Sequence, residues 1–346
     1  MTLYYRPIPM TDPARPADSQ LLAGGWCWFD RVEVLAREAA PEIIGWEETP
    51  AEVLARLTAP RPPVVGLDMD RPRLMGILNV TPDSFSDGGL YLAPEAALAR
   101  ARRMAGEGAD LLDIGGESTR PGAALVPEAE EIARTAPVIA GLQGQGLPPI
   151  SIDTRKAGVA RAALDAGAAM LNDVSALSFD PGMAACAATS GVPICLMHAQ
   201  GDPETMQAAP RYDDVLLDVY DHLAARIAVA EAAGIARKNI VVDPGIGFGK
   251  TQEHNLALLA RLSLFHGLGV PVLLGVSRKR FIGVIGDAPE PADRMPGSLA
   301  LALGAVAQGV QILRVHDILP SRQGLALWQA AIRGQAGQAT GRESAG

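Results

Sequence analysis

Eight short apolar runs in this chain end on residues that hydrogen-bond or ionise: Asn79, Asp113, Asp153, Asp173, His198, Asp243, Ser277 and His316. Such endings suit buried strands that carry polar side chains to a common site. Asp153, Asn172 and Asp243 are mainly acceptors. A partly buried carboxylate facing a paired N–H edge gains two parallel hydrogen bonds, so these residues point to a flat nitrogen heterocycle. Arg120, Lys279, Arg314 and His316 offer positive charge or neutral donors. The run from Ser118 through Thr119, Arg120 and Pro121 to Gly122 adds hydroxyls and a loop able to turn its amides toward phosphate oxygens. Together they predict a phosphorylated substrate. Any single Asp after a strand also fits as the cap of the next helix, so the argument rests on their convergence.

The positioning elements follow from the pattern around these residues. Positions 74–78 are apolar on both faces, as in a parallel strand covered on both sides, and the run then breaks at Asn79 into a polar, glycine-closed loop. The same alternation of apolar run and Ala-rich helical stretch recurs from about residue 73, with helical periodicity at 94–107, 156–166 and 213–233. Eight such units in this length predict an α/β fold, a (β/α)8 TIM barrel, whose strands all end on one rim. A doubly wound open sheet is the alternative. The expected division is an N-terminal extension over 1–72, the barrel over 73–333 and a flexible tail over 334–346. Within the extension, a short helical pattern spans 51–57. Trp26 and Trp28 alternate like a strand with one apolar face. The Ala- and Leu-rich stretches 298–307 and 324–331 make a homodimer through the last two barrel helices plausible.

Composition narrows the class. The 346 residues are 48% hydrophobic but only 4% aromatic, so the core must be aliphatic, as where helices cover a parallel sheet. A net charge of −9 without a basic block argues against nucleic acid or an anionic membrane surface as partner. Cys27, Cys186 and Cys195 have neither zinc-knuckle spacing nor an even number for a disulfide framework. There is no signal-like opening and no apolar stretch of the ~18–20 residues that span a bilayer. A cytoplasmic protein is expected.

Two motifs invite other readings. The segment 245–250, GIGFGK, resembles a phosphate-cradling loop but lacks the glycine spacing of a P-loop. No His-x-His follows the first strand, where Asn79 stands instead, so a catalytic zinc centre lacks support. His198 reads more simply as a hydrogen-bonded structural residue.

In order, ILNVTPDSFSDGG (77–89), DIGGESTRPGA (113–123), SIDT (151–154), NDVSAL (172–177), LMHAQGDPETMQ (196–207), DPGIGFGK (243–250), SRK (277–279) and RVHD (314–317) closely resemble the dihydropteroate synthases. The resemblance covers the barrel and leaves the extension outside. It implies a pterin-binding barrel that joins 6-hydroxymethyl-7,8-dihydropterin diphosphate to 4-aminobenzoate with Mg²⁺ as cofactor. By motif, Asp153, Asn172, Asp243 and Lys279 would hold the pterin. Thr119, Arg120, Arg314 and His316 would hold the diphosphate, and Asn79 would help bind Mg²⁺. Phe248, Pro121 and Ser277 are expected near the aminobenzoate. Asp83, with Arg120, Lys279, Arg314 and His316, would stabilise charge developing in the reaction. Arg280 is expected to point into solvent. A pterin-dependent methyltransferase of the same superfamily and a non-catalytic pterin-binding protein are the alternatives; the diphosphate-binding set speaks against the first, and the intact Asn79, Lys279 and Arg314 against the second.

Overall fold

The computed structural model describes residues 2–81, 89–118, 125–201, 206, 207 and 209–334. The tail beyond 334 lies outside the described residues.

The amino-terminal segment forms a small structure of its own against the barrel. Strands β1 (Tyr4–Pro7), β4 (Arg31–Ala36) and β5 (Ala39–Gly45) make an antiparallel sheet in the order β1-β4-β5, and β2 (Gln20–Leu21) pairs with β3 (Trp28–Phe29). Helix α1 (Ala51–Thr58) follows. Its Val53 and Leu57, one turn apart and therefore on one face, pack with Leu22, Cys27, Phe29 and Val32 in a local core. Tyr4 and Leu35 instead join the barrel's main core. The Trp26 indole donates to the Val306 carbonyl at 2.8 Å, Ser263 Oγ to that of Pro7 at 2.8 Å, and Arg61 to that of His266 at 2.8 Å.

Eight parallel strands form the barrel: β6 (Arg73–Asn79), β7 (Leu111–Gly115), β8 (Ile150–Asp153), β9 (Met170–Asp173), β10 (Ile194–Met197), β11 (Ile240–Asp243), β12 (Leu273–Leu274) and β13 (Ile312–Val315). Each pairs with its chain neighbour, and β13 returns to β6 with Arg314 opposite Met75. Between β11 and β12 the ring is closed by the parallel bridge Val242–Val272. The connecting helices are α2 (Gly89–Gly106), α3 (Glu128–Leu142), α4 (Ala157–Asp165), α5 (Met183–Ser190), α6 (Val215–Ala232), α7 (Gln252–Ala260), α8 (Arg280–Ile285), α9 (Met295–Val306) and α10 (Ile318–Arg333). Among the described residues, no helix is long and apolar enough to cross a membrane.

Strand parity decides what each residue faces. Met75, Leu111, Met170, Cys195, Val241, Leu273 and Ile312 form one interior cluster, plugged by Val64 and Met69 from the segment before β6. Leu74, Leu112, Ile152, Leu171, Leu196, Val242 and Leu313 pack outward with the helices. Because side chains alternate along a strand, the positions two beyond the interior layer also point inward. The polar ones among them are Asp113, Asn172, Asp243 and Arg314, with Asp153 at the end of β8 in register with Asn172. The fold therefore places its polar inward layer just above an apolar one, at the carboxyl ends of the strands.

Candidate active site

The centre of this mouth is an ion cluster. Arg314 Nε donates to Asp113 Oδ2 at 2.6 Å and Nη2 to Asp153 Oδ2 at 2.7 Å, while Asn172 Nδ2 donates to Asp113 Oδ2 at 3.0 Å. The other oxygen of each carboxylate, Asp113 Oδ1 and Asp153 Oδ1, is buried without a hydrogen-bond partner. An unsatisfied buried acceptor is costly, so a pair of them in one layer needs a reason. Burial raises the Asp153 pKa to about 7 against the opposing pull of Arg314. The guanidinium in turn is held protonated: burial opposes its charge, but Asp113 and Asp153 outweigh that and raise its pKa.

Asp243 adjoins this cluster. A side-chain carbon on Gly275 would stand 3.8 Å from Asp243 Oδ2 and 3.9 Å from Arg314 Cβ, so both converge on that glycine. Asp243 Oδ1 accepts the Gly245 amide at 2.7 Å. Burial raises its pKa to about 6, with the Gly245 amide, Lys279 and Arg314 pulling the other way. Lys279 Nζ sits 4.0 Å from the centre of the Phe248 ring, a cation–π contact.

Ser277 and His316 form the third part of the rim. Ser277 Oγ lies 3.0 Å from His316 Nδ1 and accepts the His316 amide at 3.2 Å. Between Ser277 and Lys279, Arg278 has φ +59°, a conformation that costs a non-glycine residue energy and that concentrates at functional sites. Its amide donates to Ser298 Oγ at 2.8 Å and its Nε to Asp317 at 2.9 Å, which fixes the strained turn. Arg280, one residue on, is exposed.

Asn79 closes β6 opposite Gly115, which in turn lies opposite Asp153. Gly115, which has no side chain, thus stands between Asn79 and Asp153 in the sheet. Among the described residues no group of three His, Cys, Asp or Glu side chains could hold a metal. A neutral amide oxygen is a suitable single ligand for Mg²⁺, which keeps several waters and commonly binds through substrate phosphates.

The glycine-rich segment after β11 has a packing explanation. Gly245 (φ +67°) would put a side-chain carbon 1.8 Å from the His198 carbonyl oxygen, and Gly249 (φ +59°) would put one 2.4 Å from that of Gln200. Lys250 turns inward, with Nζ 2.8 Å from His198 Nδ1 and from the Gly245 carbonyl and 3.0 Å from that of Phe248. Burial lowers its pKa well below that of an ordinary lysine. The Lys250 side chain therefore holds the loop that carries Phe248, with its Nζ engaged by His198, Gly245 and Phe248 rather than turned to a nucleotide phosphate.

Asp153, Asn172, Asp243, Phe248, Ser277, Lys279, Arg314 and His316 thus meet at one mouth, with Asn79 on its rim. Asp83, Thr119, Arg120 and Pro121 lie outside the described residues. Arg314 and Lys279 stand by the carboxylates, as buried negative charge requires a counter-charge. One expectation changes. Asp173, grouped with Asn172 at a strand end, faces away: its Oδ1 accepts the Ser175 amide at 2.8 Å and its Oδ2 the Leu177 amide at 2.7 Å. Sequence reasoning placed Asp113 among the strand ends at the rim but gave it no role, although its inward parity was a usable signal. It missed a buried network at the root of segment 118–127. There Glu117 accepts from Arg155 at 2.7 Å and from Lys156, and Lys156 bonds Glu131 at 2.5 Å.

The family model for pterin binding enzymes matches residues 75–316. Dihydropteroate synthase from Escherichia coli K12 is 46% identical over 266 residues, which cover 77% of this chain and 94% of that protein. The Xanthomonas albilineans dihydropteroate synthase solved with 4-aminobenzoic acid superposes with a TM-score of 0.74 at 51% identity, over 79% of this chain and 98% of that one. The same synthase in complex with 7,8-dihydropteroate gives 0.71 at 48% identity and equal coverage. With its closed barrel, its inward polar layer and these relatives, the chain belongs to the dihydropteroate synthase family of pterin-binding enzymes.

Proposed function

We propose that this mouth joins the methylene of 6-hydroxymethyl-7,8-dihydropterin diphosphate to the amine of 4-aminobenzoate, releasing pyrophosphate. The observation that carries the reading is the pair of buried, unpartnered oxygens on Asp113 and Asp153 beside the Asn172 amide. A pterin edge presents N–H donors in a plane, and donation to these carboxylates satisfies groups that the protein leaves unpaired. Asp243 and Lys279 complete the pterin site in this reading. Thr119, Arg120, Arg314 and His316 hold the diphosphate.

Arg314 has two tasks here. With the pterin absent it neutralises Asp113 and Asp153. Once the ring's donors reach those carboxylates, its charge is available to the leaving group. As the C–O bond to diphosphate breaks, negative charge grows on the departing oxygens and positive charge on the pterin methylene. Arg120, Arg314 and His316 stabilise the first. Asp83 and the ring-binding carboxylates stabilise the second. The aryl nitrogen then forms the new C–N bond and loses a proton, with no covalent enzyme intermediate. Mg²⁺, with Asn79 among its ligands, supplies further charge neutralisation on the diphosphate when bound. The aminobenzoate ring lies by Phe248 and Pro121, with its carboxylate near Ser277 and the start of α8.

The free, buried state of Cys27, Cys186 and Cys195 is in keeping with a reducing cytoplasm. The exposed Leu319 and Leu327 of α10 suit a homodimer built on the last helices. The deciding experiment incubates purified protein with the pterin diphosphate, labelled 4-aminobenzoate and Mg²⁺. Labelled dihydropteroate and pyrophosphate in equal amounts are expected. Pterin binding without either product overturns the reading.

A further inference from the structure

We propose that the amino-terminal extension shapes this site from outside the barrel, with Arg37 and Asp218 as positioning residues for the loop after β10. The proposal rests on the synthase reading for what the loop serves, and on geometry alone for the brace. Arg37 is the first of the two residues that join β4 to β5, where Ala36 pairs with Ala39. From that hairpin tip its guanidinium reaches the first turns of α6. Nη1 donates to Asp218 Oδ1 at 2.6 Å and Nη2 to Asp221 Oδ2 at 2.7 Å, and the Tyr4 hydroxyl donates to the same Asp221 oxygen at 2.8 Å.

Asp218 faces two ways. Its Oδ2 accepts the Asp213 amide at 3.0 Å and the Asp214 amide at 3.3 Å, the last amides of the loop before α6. The next residue back, Tyr212, donates its hydroxyl to the Gly249 carbonyl at 2.7 Å, and Gln207 donates to that of Gly247 at 2.7 Å. Phe248 lies between those two glycines, with Lys279 over its ring. Gln200 ties the two ends of the loop together through the Arg211 amide at 3.0 Å and carbonyl at 2.9 Å. A short relay thus runs from Arg37 through Asp218, the 213 amide, the Tyr212 hydroxyl and the Gly249 carbonyl to Phe248.

Charge explains why a cation is needed at the hairpin tip. Asp213, Asp214, Asp218 and Asp221 crowd one end of α6, and their repulsion favours turning the Asp218 side chain away from its neighbours. Arg37 offsets this and holds the carboxylate in the orientation that receives both amides. The family match begins at Met75, well past Arg37, so the brace is an addition to the family's barrel.

The test compares Arg37→Ala and Asp218→Asn with Trp26→Phe in the full chain. Trp26→Phe loosens the extension at its contact with α9, a contact that shares no residue with the relay. Steady-state constants for both substrates and hydrogen exchange of amides 206–218 are read together. The brace predicts a KM for 4-aminobenzoate raised about two- to fivefold in the first two variants, the scale of an exposed ion pair, with kcat nearly unchanged. Faster exchange at 206–218 accompanies it. Arg37→Lys, which keeps the charge but not the fork, recovers part of the effect, and molar salt moves the wild type toward Arg37→Ala. Unchanged KM and exchange in Arg37→Ala overturn the proposal. So does a Trp26→Phe variant that raises KM equally, since general loosening then accounts for the effect. Should the wild type make no dihydropteroate, the function proposed above fails, and the exchange comparison still decides the brace.

Discussion

The barrel mouth and the seam between extension and barrel both bury polar groups, but they leave different groups unsatisfied. At the mouth the unpaired atoms include carboxylate oxygens of Asp113 and Asp153, in one layer with Asp243, and the rim carries the strained Arg278. At the seam the unpaired atoms include His266 Nδ1 and Arg61 Nε. Each of those residues is otherwise tied to backbone: His266 Nε2 lies 2.9 Å from the Gln308 carbonyl, and Arg61 donates to the carbonyls of Arg56, Ala59 and His266. Burial, helped by the nearby Arg61, also lowers the His266 pKa to about 3, so the ring is neutral there. The mouth thus retains unfavourable electrostatics that a ligand relieves, whereas the seam is arranged for stability.

The largest effect expected from this contrast is on folding alone. Phe29, fully buried in the extension core, is expected to cost about 3–5 kcal/mol when replaced by Ala. Chemical denaturation measures this, while kcat/KM for folded protein stays close to wild type. A matching collapse of kcat would dissolve the contrast. Next comes Arg314→Ala, which is expected to lower transition-state stabilisation by about 2–4 kcal/mol, as for loss of one charge-stabilising donor. An unchanged kcat/KM removes Arg314 from the reaction.

A third prediction uses pH, because the two regions respond with opposite sign. Asp153 titrates near 7 when folded and near 3.8 as a free side chain. The folded state therefore binds more protons between those values, and the stability contribution of Asp153 is complete below the lower one and lost as pH rises through the upper. For His266 the folded value near 3 lies below the free value of 6.5. Its contribution is complete above 6.5 and lost as pH falls through 3. Binding a pterin ring is expected to follow Asp153 and Asp243 inversely, since ring donors need ionised acceptors. Affinity should fall by up to about tenfold per unit from pH 7 to 6, as Asp153 takes up its proton, and more steeply below 6, where Asp243 joins it, with proton release on binding. Calorimetry in buffers of different ionisation enthalpy checks it, and a flat profile from pH 5 to 8 contradicts the assigned pterin acceptors.

The barrel was legible in the sequence because eight apolar runs with polar ends have a physical cause: strands covered on both faces that deliver side chains to one rim. That same cause hid the finer detail. A strand apolar on both faces shows no alternation, so Asn172, which points inward, and Asp173, which caps the turn at 175–177, read alike. Asp113 was expected at the rim without a role for the same reason. Lys250 was legible only as part of a glycine-rich motif, since nothing local indicates that it turns onto carbonyls of the His198 and Phe248 segments. The extension was least legible. Its contacts, such as Arg37 with Asp218 across 181 positions, depend on where the barrel presents α6.

The smallest expected effect concerns a residue at the border of the two regions. Asp214 is the N-cap of α6, and its Oδ1 accepts the amides of Leu216 at 3.0 Å and Leu217 at 3.1 Å. Replacement by Ala leaves two first-turn donors without that partner and removes a negative charge from the helix amino terminus, a loss of about 1 kcal/mol. Both Asp218 and Asp221 lie within the next turns, so fraying at Asp214 reaches the seam through Arg37 and the mouth through the amides of the preceding loop. Asp214→Asn, which keeps a capping oxygen, should recover most of the loss. A denaturation midpoint equal to wild type for Asp214→Ala would mean that Asp218 and the extension hold the first turn without the cap. The mouth would then depend on the seam more than on its own helix.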